Sequence, residues 1–161
     1  MTALPEAEEL LRRLGEHGWT IGVAESLTGG LVVASLVDVP GASAWVRGGV
    51  VAYATDLKHA ILGVDAALLA AHGPVHPEVA RQMAEGVRTV TGRDGVRADV
   101  GVATTGIAGP DSPDGQPVGT VHLGVSTPER THSISVVLDG DRDAIRREAA
   151  RRALAAVIDA V

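Results

Sequence analysis

Cysteine is absent from the 161-residue chain. Disulfide bonds, thiolate metal sites and cysteine nucleophiles are therefore excluded. The aromatic residues are Trp19, Trp45 and Tyr53, too few for a surface that stacks the bases of single-stranded nucleic acid. Apolar runs such as 31–37 and 66–71 stop far short of the roughly 20 residues that a membrane-spanning helix needs. These shortages predict no nucleic-acid partner and no membrane partner.

Basic residues are outnumbered, since 14 Lys and Arg stand against 20 Asp and Glu and give a net charge of −6. Such a chain is poorly suited to a nucleic-acid backbone or an anionic membrane surface. The N-terminal residues are acidic where a secretory signal would be basic and then apolar, so we expect a cytoplasmic protein. A hydrophobic fraction of 45% is normal for a folded protein, and the length predicts one domain over residues 1–161. The 20 glycines cluster in loops, where we expect a small-molecule site.

Hydrophobic periodicity and turn residues predict the elements of the fold. The predicted helices cover 5–17, 31–37, 56–62, 65–71, 77–91 and 141–159, and the predicted strands cover 20–24, 45–55, 99–105, 119–126 and 132–138. Gly48 and Gly49 indicate a bulge or a close backbone approach within the second strand. Because helices bracket the strands while the last two strands form a hairpin, we predict a three-layer α/β/α sandwich with a mixed, mostly parallel sheet.

The segment Ala-Glu-Ser-Leu-Thr-Gly-Gly at 24–30 is the first candidate for chemistry. Ser26 lies at a strand-to-helix junction, where unpaired backbone N–H groups and the helix dipole would stabilise an oxyanion. The alternative is that Ser26 or Thr28 only caps the helix. The segment is not the Gly-x-Ser-x-Gly elbow of the α/β-hydrolases.

Tyr53 and Lys58 form a second candidate, because both are predicted to project from the same edge of the sheet. A lysine whose pKa is lowered by burial serves as a general base for a serine. The alternative is an ordinary lysine on a solvated helix surface.

The loop 106–117 follows a predicted buried strand, so Thr104, Thr105 and the glycine amides that begin with Gly106 lie where open α/β sheets bind ligands. An ordinary connecting loop is the alternative. Arg142 and Arg146 share one helix face and suit a phosphate or carboxylate, or else form local ion pairs. Among the six histidines, the closest pair is interrupted by Gly-Pro, so the sequence predicts no metal site.

Taken together, these motifs resemble the CinA C-terminal family, whose enzymatic members are nicotinamide mononucleotide deamidases. The resemblance runs from about residue 5 to the end. It rests on Ala-Glu-Ser-Leu-Thr-Gly-Gly (24–30), Gly-Gly-Val-Val-Ala-Tyr (48–53) with Lys58, Gly-Pro-Val (73–75), Thr-Gly-Ile-Ala-Gly-Pro (105–110), Pro-Val-Gly-Thr-Val (117–121) and Gly-Asp-Arg (140–142) with Arg146. One departure is His76-Pro77, where the family pattern leads us to expect a serine-like helix cap.

The resemblance implies an amidohydrolase that converts nicotinamide mononucleotide and water to nicotinate mononucleotide and ammonia, within pyridine nucleotide recycling. It implies that Ser26 is the nucleophile, that Lys58 is its base and that Tyr53 assists them. The implied substrate-binding residues are Thr28, Gly29, Gly30, Thr105, Gly106, Arg142 and Arg146, with one arginine of the last two on the 5′-phosphate. The reaction calls for no cofactor, and the resemblance suggests a homo-oligomer.

Three points stay open at this stage. Glu25 or Asp56 could favour a charged Lys58, or either carboxylate could be structural. A non-catalytic nucleotide-binding module is one alternative function. A competence- or damage-related interaction domain is another.

Overall fold

The computed structural model describes residues 3–161. Its helices are α1 (Pro5–His17), α2 (Leu31–Val37), α3 (Thr55–Ala60), α4 (Ala66–His72), α5 (Pro77–Val90) and α6 (Arg142–Ile158), and its strands are β1 (Ile21–Glu25), β2 (Val46–Val51), β3 (Val100–Gly106), β4 (Thr120–Ser126) and β5 (Thr131–Val137). A single 3₁₀ turn at Ala42–Ala44 precedes β2. Within this part of the chain, no helix has the length and apolar character required to cross a membrane.

The five strands form one sheet in the order β2-β1-β3-β4-β5. Strand β1 is parallel to both β2 and β3, whereas β4 is antiparallel to both of its neighbours. Four of the five strands therefore share one direction. Helices α1, α2 and α6 lie on one face of this sheet and α5 lies on the other. The predicted three-layer sandwich, its mixed sheet and its terminal hairpin are confirmed.

Two apolar clusters hold the layers together. Leu14 of α1 and Leu154 of α6 are fully buried on one face, and Met83 of α5 is fully buried on the other. Helix α5 approaches the sheet closely because glycines lie beneath it. A Cβ atom at Gly124 would lie 2.0 Å from the carbonyl oxygen of Ala80, so only glycine fits there.

The second strand is shorter than the predicted 45–55, because β2 ends at Val51. The Ala52 N–H still donates to Glu25 O at 2.9 Å, but the next carbonyls accept hydrogen bonds from a lysine side chain and the chain turns into α3. Both the bulge and the close approach predicted around Gly48 and Gly49 are present. Ile21 pairs with Val46 and Gly22 with Gly48, so the bulged residue is Arg47, directly before Gly48. A Cβ atom at Gly49 would lie 2.4 Å from a side-chain methyl carbon of Val33.

Candidate functional site

A cleft of about 410 Å³ lies at the end of the sheet where β1 and β3 finish. Ser26 follows the last residue of β1, Tyr53 lies just after β2, and Thr105 and Gly106 end β3. All four line the cleft together with Lys58 and Arg142. The fold therefore brings together six of the residues singled out from the sequence, contributed by four separate segments.

Lys58 is completely buried and its amine lies beside the Ser26 hydroxyl. The Nζ atom is 3.0 Å from Ser26 Oγ, 2.7 Å from Ala52 O and 3.4 Å from Tyr53 O. No carboxylate among residues 3–161 forms an ion pair with it. Desolvation without a compensating negative charge lowers the pKa of Lys58 from 10.5 to about 8.

The neutral amine then has a lone pair to accept the Ser26 proton and N–H groups to donate to the two carbonyls. Lys58 is the one lysine of the chain, since the other basic residues are arginines. Arginine stays protonated in proteins and cannot replace it as a base.

The backbone of Ser26 is fixed by strand β3. Its N–H donates to Thr104 O at 3.1 Å and lies 3.3 Å from Thr104 Oγ1. The Thr104 and Thr28 hydroxyls are 2.8 Å apart, and both side chains are fully buried. The sequence predicts Thr104 beside Thr105 at the end of the strand 99–105, but it gives no sign of this contact with the serine.

Glu25 has a structural role. Its buried carboxylate accepts hydrogen bonds from the N–H groups of Gly30, Val32 and Val33 at 3.0, 3.1 and 2.9 Å. It therefore caps the first turn of α2, which answers the question left open by the sequence. Asp56 is exposed and forms no ion pair with Lys58.

Four of the predicted substrate-binding residues lie outside the cleft lining: Thr28, Gly29, Gly30 and Arg146. The Arg146 guanidinium donates from Nε to Leu27 O at 2.9 Å and from Nη2 to Thr28 O at 3.3 Å. These residues build the turn that carries Ser26, and their contact with substrate stays a prediction.

Arg142 closes one side of the cleft. Its Nη1 donates to Gly109 O at 2.6 Å and its Nη2 lies 3.4 Å from the Tyr53 hydroxyl. Tyr53 is 63% exposed, so its ring forms the rim of the cleft. Elsewhere in the cleft lining, the buried Thr105 hydroxyl donates to Pro74 O at 2.7 Å.

Two further features were not assigned from the sequence. Gln116 joins two walls of the cleft, because its Nε2 donates to Val75 O at 3.1 Å and to Asp114 Oδ2 at 2.7 Å. Only the glycine- and proline-rich composition of the loop hinted at a role there. His76, the departure from the family pattern, caps α5 by accepting the Glu78 N–H on Nδ1 at 3.1 Å. The histidine is thus the N-cap of α5, at the position where a serine-like cap was expected.

In relatives of known sequence, the region that matches this chain is only part of a longer protein. A CinA-like protein of Frankia casuarinae is 50% identical over 145 residues, which are 90% of this chain and 32% of that protein. A CinA-like protein of Anaeromyxobacter sp. strain K is 49% identical over 153 residues, 94% of this chain and 36% of that protein. The chain thus spans about a third of the length of the curated relatives it matches.

Solved structures match over nearly their whole chains. The competence damage-inducible protein A of Klebsiella pneumoniae has 32% sequence identity and a TM-score of 0.89, covering 96% of this chain and 93% of that one. The competence/damage inducible protein of Agrobacterium tumefaciens has 35% identity and a TM-score of 0.83, covering 99% and 98%. The sequence model of the CinA C-terminal domain matches residues 4–161. This chain belongs to the CinA C-terminal domain family.

Proposed function

We propose that this domain hydrolyses the carboxamide of nicotinamide mononucleotide to give nicotinate mononucleotide and ammonia, with Ser26 as nucleophile and Lys58 as base. The observation that supports the proposal best is the buried Lys58 amine 3.0 Å from Ser26 Oγ. A serine hydroxyl is a weak nucleophile until an adjacent base removes its proton. A binding module has no need for such a pair.

The reaction begins when the neutral Lys58 amine takes the Ser26 proton and Oγ attacks the carboxamide carbon. The tetrahedral oxyanion collapses, the C–N bond breaks, and the Lys58 ammonium gives its proton to the departing nitrogen, which leaves as ammonia. Water then attacks the ester carbon and passes a proton to Lys58. Collapse of the second oxyanion breaks the C–Oγ bond, and Lys58 returns the proton to Ser26. The cycle consumes one water and needs no cofactor.

A neutral base suits this substrate because the pyridinium ring already carries a positive charge. A permanently charged group beside Ser26 would repel the ring in the ground state. In the deprotonated fraction of the enzyme, which grows as the pH rises through about 8, Lys58 becomes cationic only as the oxyanion forms, when the new charges attract each other. The low pKa of Lys58, caused by its burial, matches this requirement.

Other cleft residues suit the remainder of the substrate. The Thr105 hydroxyl donates to Pro74 O, so its oxygen is left as an acceptor suited to a carboxamide N–H. Arg142 keeps donors beyond its bond to Gly109 O, and a guanidinium fork matches a phosphate dianion. Tyr53 lies at the rim beside Arg142, and we expect it to contact the substrate there. We expect a homo-oligomer as well, which light scattering on the purified protein tests.

The decisive experiment measures ammonia release from nicotinamide mononucleotide and, in parallel, from its nucleoside. We expect the wild type to release ammonia from the mononucleotide and much less from the nucleoside, which lacks the phosphate. Ser26→Ala should abolish release. Ser35→Ala is the matched control, because Ser35 lies on α2 and bonds only to Leu31 O.

Binding of the mononucleotide without ammonia release by the wild type would contradict hydrolysis and favour a binding module. Turnover by Ser26→Ala at the wild-type rate would remove Ser26 from the mechanism.

A further inference from the structure

The turn that carries the nucleophile, residues 26–30, is held from two sides. We call it the nucleophile turn. From the sheet, Thr104 accepts the Ser26 N–H and bonds to the Thr28 hydroxyl. From α6, Arg146 donates to the carbonyls of Leu27 and Thr28 at 2.9 and 3.3 Å. The arginine is more than a hundred residues away in sequence, so these bonds are purely tertiary.

Both hydrogen bonds of the Arg146 guanidinium go to the turn. No carboxylate among residues 3–161 lies within 4 Å of its guanidinium, and the residue does not line the cleft. A Cβ atom at Gly29 would lie 3.2 Å from Nη2, and Gly29 has a φ of +58°. The guanidinium therefore lies against the backbone of the turn at its glycine.

The chemistry of the side chain fits this contact. A guanidinium presents several N–H donors in a fixed plane, so it holds two successive carbonyls at once. Bonds from a charged donor are also stronger than neutral ones. An ammonium group is a single point charge and lacks that planar geometry.

We propose that Arg146 is a positioning residue that fixes the nucleophile turn so that Ser26 Oγ stays in reach of Lys58, and that Arg142 alone of the two arginines meets the substrate phosphate. This inference rests on the proposed hydrolysis, and it separates two residues that the family resemblance leaves interchangeable. Arg142 lines the cleft, whereas Arg146 lies outside the lining and bonds to the backbone of the nucleophile turn.

The first test compares kinetics on the mononucleotide and on its nucleoside. We expect Arg146→Gln to lower kcat on the order of 10²-fold for both substrates, as a misplaced reacting group does. KM and the preference for the phosphorylated substrate should change little. Arg147→Gln is the control, because Arg147 is the next residue of the same helix, is exposed and pairs only with Asp143.

The second test needs no nucleotide. A small alkyl fluorophosphonate reacts with an activated serine when Oγ displaces fluoride from phosphorus. We expect Arg146→Gln to slow labelling of Ser26 to about the same extent as kcat, and Arg147→Gln to label at the wild-type rate. Because labelling reports on Ser26 even if the wild type releases no ammonia, failure of the positioning role and failure of the proposed function give different results.

The inference is overturned if Arg146→Gln labels at the wild-type rate, whether or not KM for the mononucleotide rises. A raised KM for the mononucleotide alone would identify Arg146 as a phosphate ligand. Circular dichroism checks that the variant folds. If Arg146→Gln does not fold, the same comparison is made with Arg146→Lys, which keeps the charge but loses the fork and should label Ser26 more slowly than wild type.

Discussion

Replacing Lys58 by methionine removes the buried amine while keeping a long apolar side chain of similar volume. In the native protein, burial lowers the Lys58 pKa from 10.5 to about 8. A difference of about 2.5 pH units corresponds to about 3 kcal/mol, because each unit is worth 1.36 kcal/mol. That free energy is the cost of keeping the ammonium form inside the folded protein.

Because the pKa of Lys58 is lower in the folded protein than in the unfolded chain, the free energy of unfolding depends on pH. Below pH 8 the amine is protonated in both the folded and unfolded states, and the full cost is present. Between pH 8 and 10.5 the unfolded chain still binds the proton and the folded chain does not, so the free energy of unfolding rises with pH. Above pH 10.5 the cost disappears. Wild type should therefore gain about 3 kcal/mol relative to Lys58→Met across this window.

Three measurements address the same ionisation. Because the chain has a single lysine, isotope labelling of lysine gives one side-chain NMR signal, which we expect to titrate with a midpoint near 8. Urea unfolding of wild type and Lys58→Met at several pH values gives the difference in free energy. The kcat/KM for the mononucleotide should rise with pH through the same midpoint, since only the neutral amine acts as base.

A midpoint near 10.5 in the NMR titration would refute the reasoning, because it would show that burial does not penalise the ammonium form. Lys58→Arg is the sharpest control. It keeps a cation next to Ser26 but cannot act as a base, so we expect it to lose 10²–10⁴-fold in kcat, the usual contribution of a general base. Activity close to wild type in that variant would refute the role of Lys58.

Three shorter predictions accompany this one. Ser26→Ala should release no ammonia while its circular dichroism stays that of wild type; turnover in that variant would contradict covalent catalysis. Arg142→Gln should raise KM for the mononucleotide and leave KM for the nucleoside nearly unchanged; an equal rise for both would argue against phosphate contact. Gly124→Ala should lower the free energy of unfolding by about 1–3 kcal/mol, since its Cβ would lie 2.0 Å from Ala80 O; urea unfolding measures it, and an unchanged midpoint would contradict close packing.

The elements of the fold were largely predictable because the local signals and the tertiary packing agree. The predicted helix 5–17 coincides with α1, which begins at a proline, carries glutamates in its first turn and ends at the left-handed Gly18. Strand β2 was overextended because apolar residues continue past Val51. The contact that ends it, between the Lys58 amine and the carbonyls of residues 52 and 53, joins backbone to a side chain in the next helix.

The residue types that meet in the candidate site could be predicted from the sequence, but the side chains that hold them in place could not. Ser26, Thr105 and Lys58 stand at the ends of predicted elements, where side chains of an α/β sheet converge. The supports of the serine come from Thr104 and Arg146, which are 78 and more than a hundred residues distant. Such long-range contacts leave no periodic pattern in a single sequence, so only the three-dimensional structure reveals them.

The low pKa of Lys58 depends on the absence of a carboxylate partner for its amine. A buried carboxylate within reach would stabilise the ammonium form and raise that pKa, which would leave the proposed base protonated. Glu25, the neighbour of Ser26 in the chain, is 1% exposed, but its carboxylate accepts hydrogen bonds from three N–H donors at the start of α2. Lys58 is left with a hydroxyl and two carbonyl oxygens. The fold thus buries both a carboxylate and an amine and gives each its own neutral partners, so that the amine is free to lose its proton.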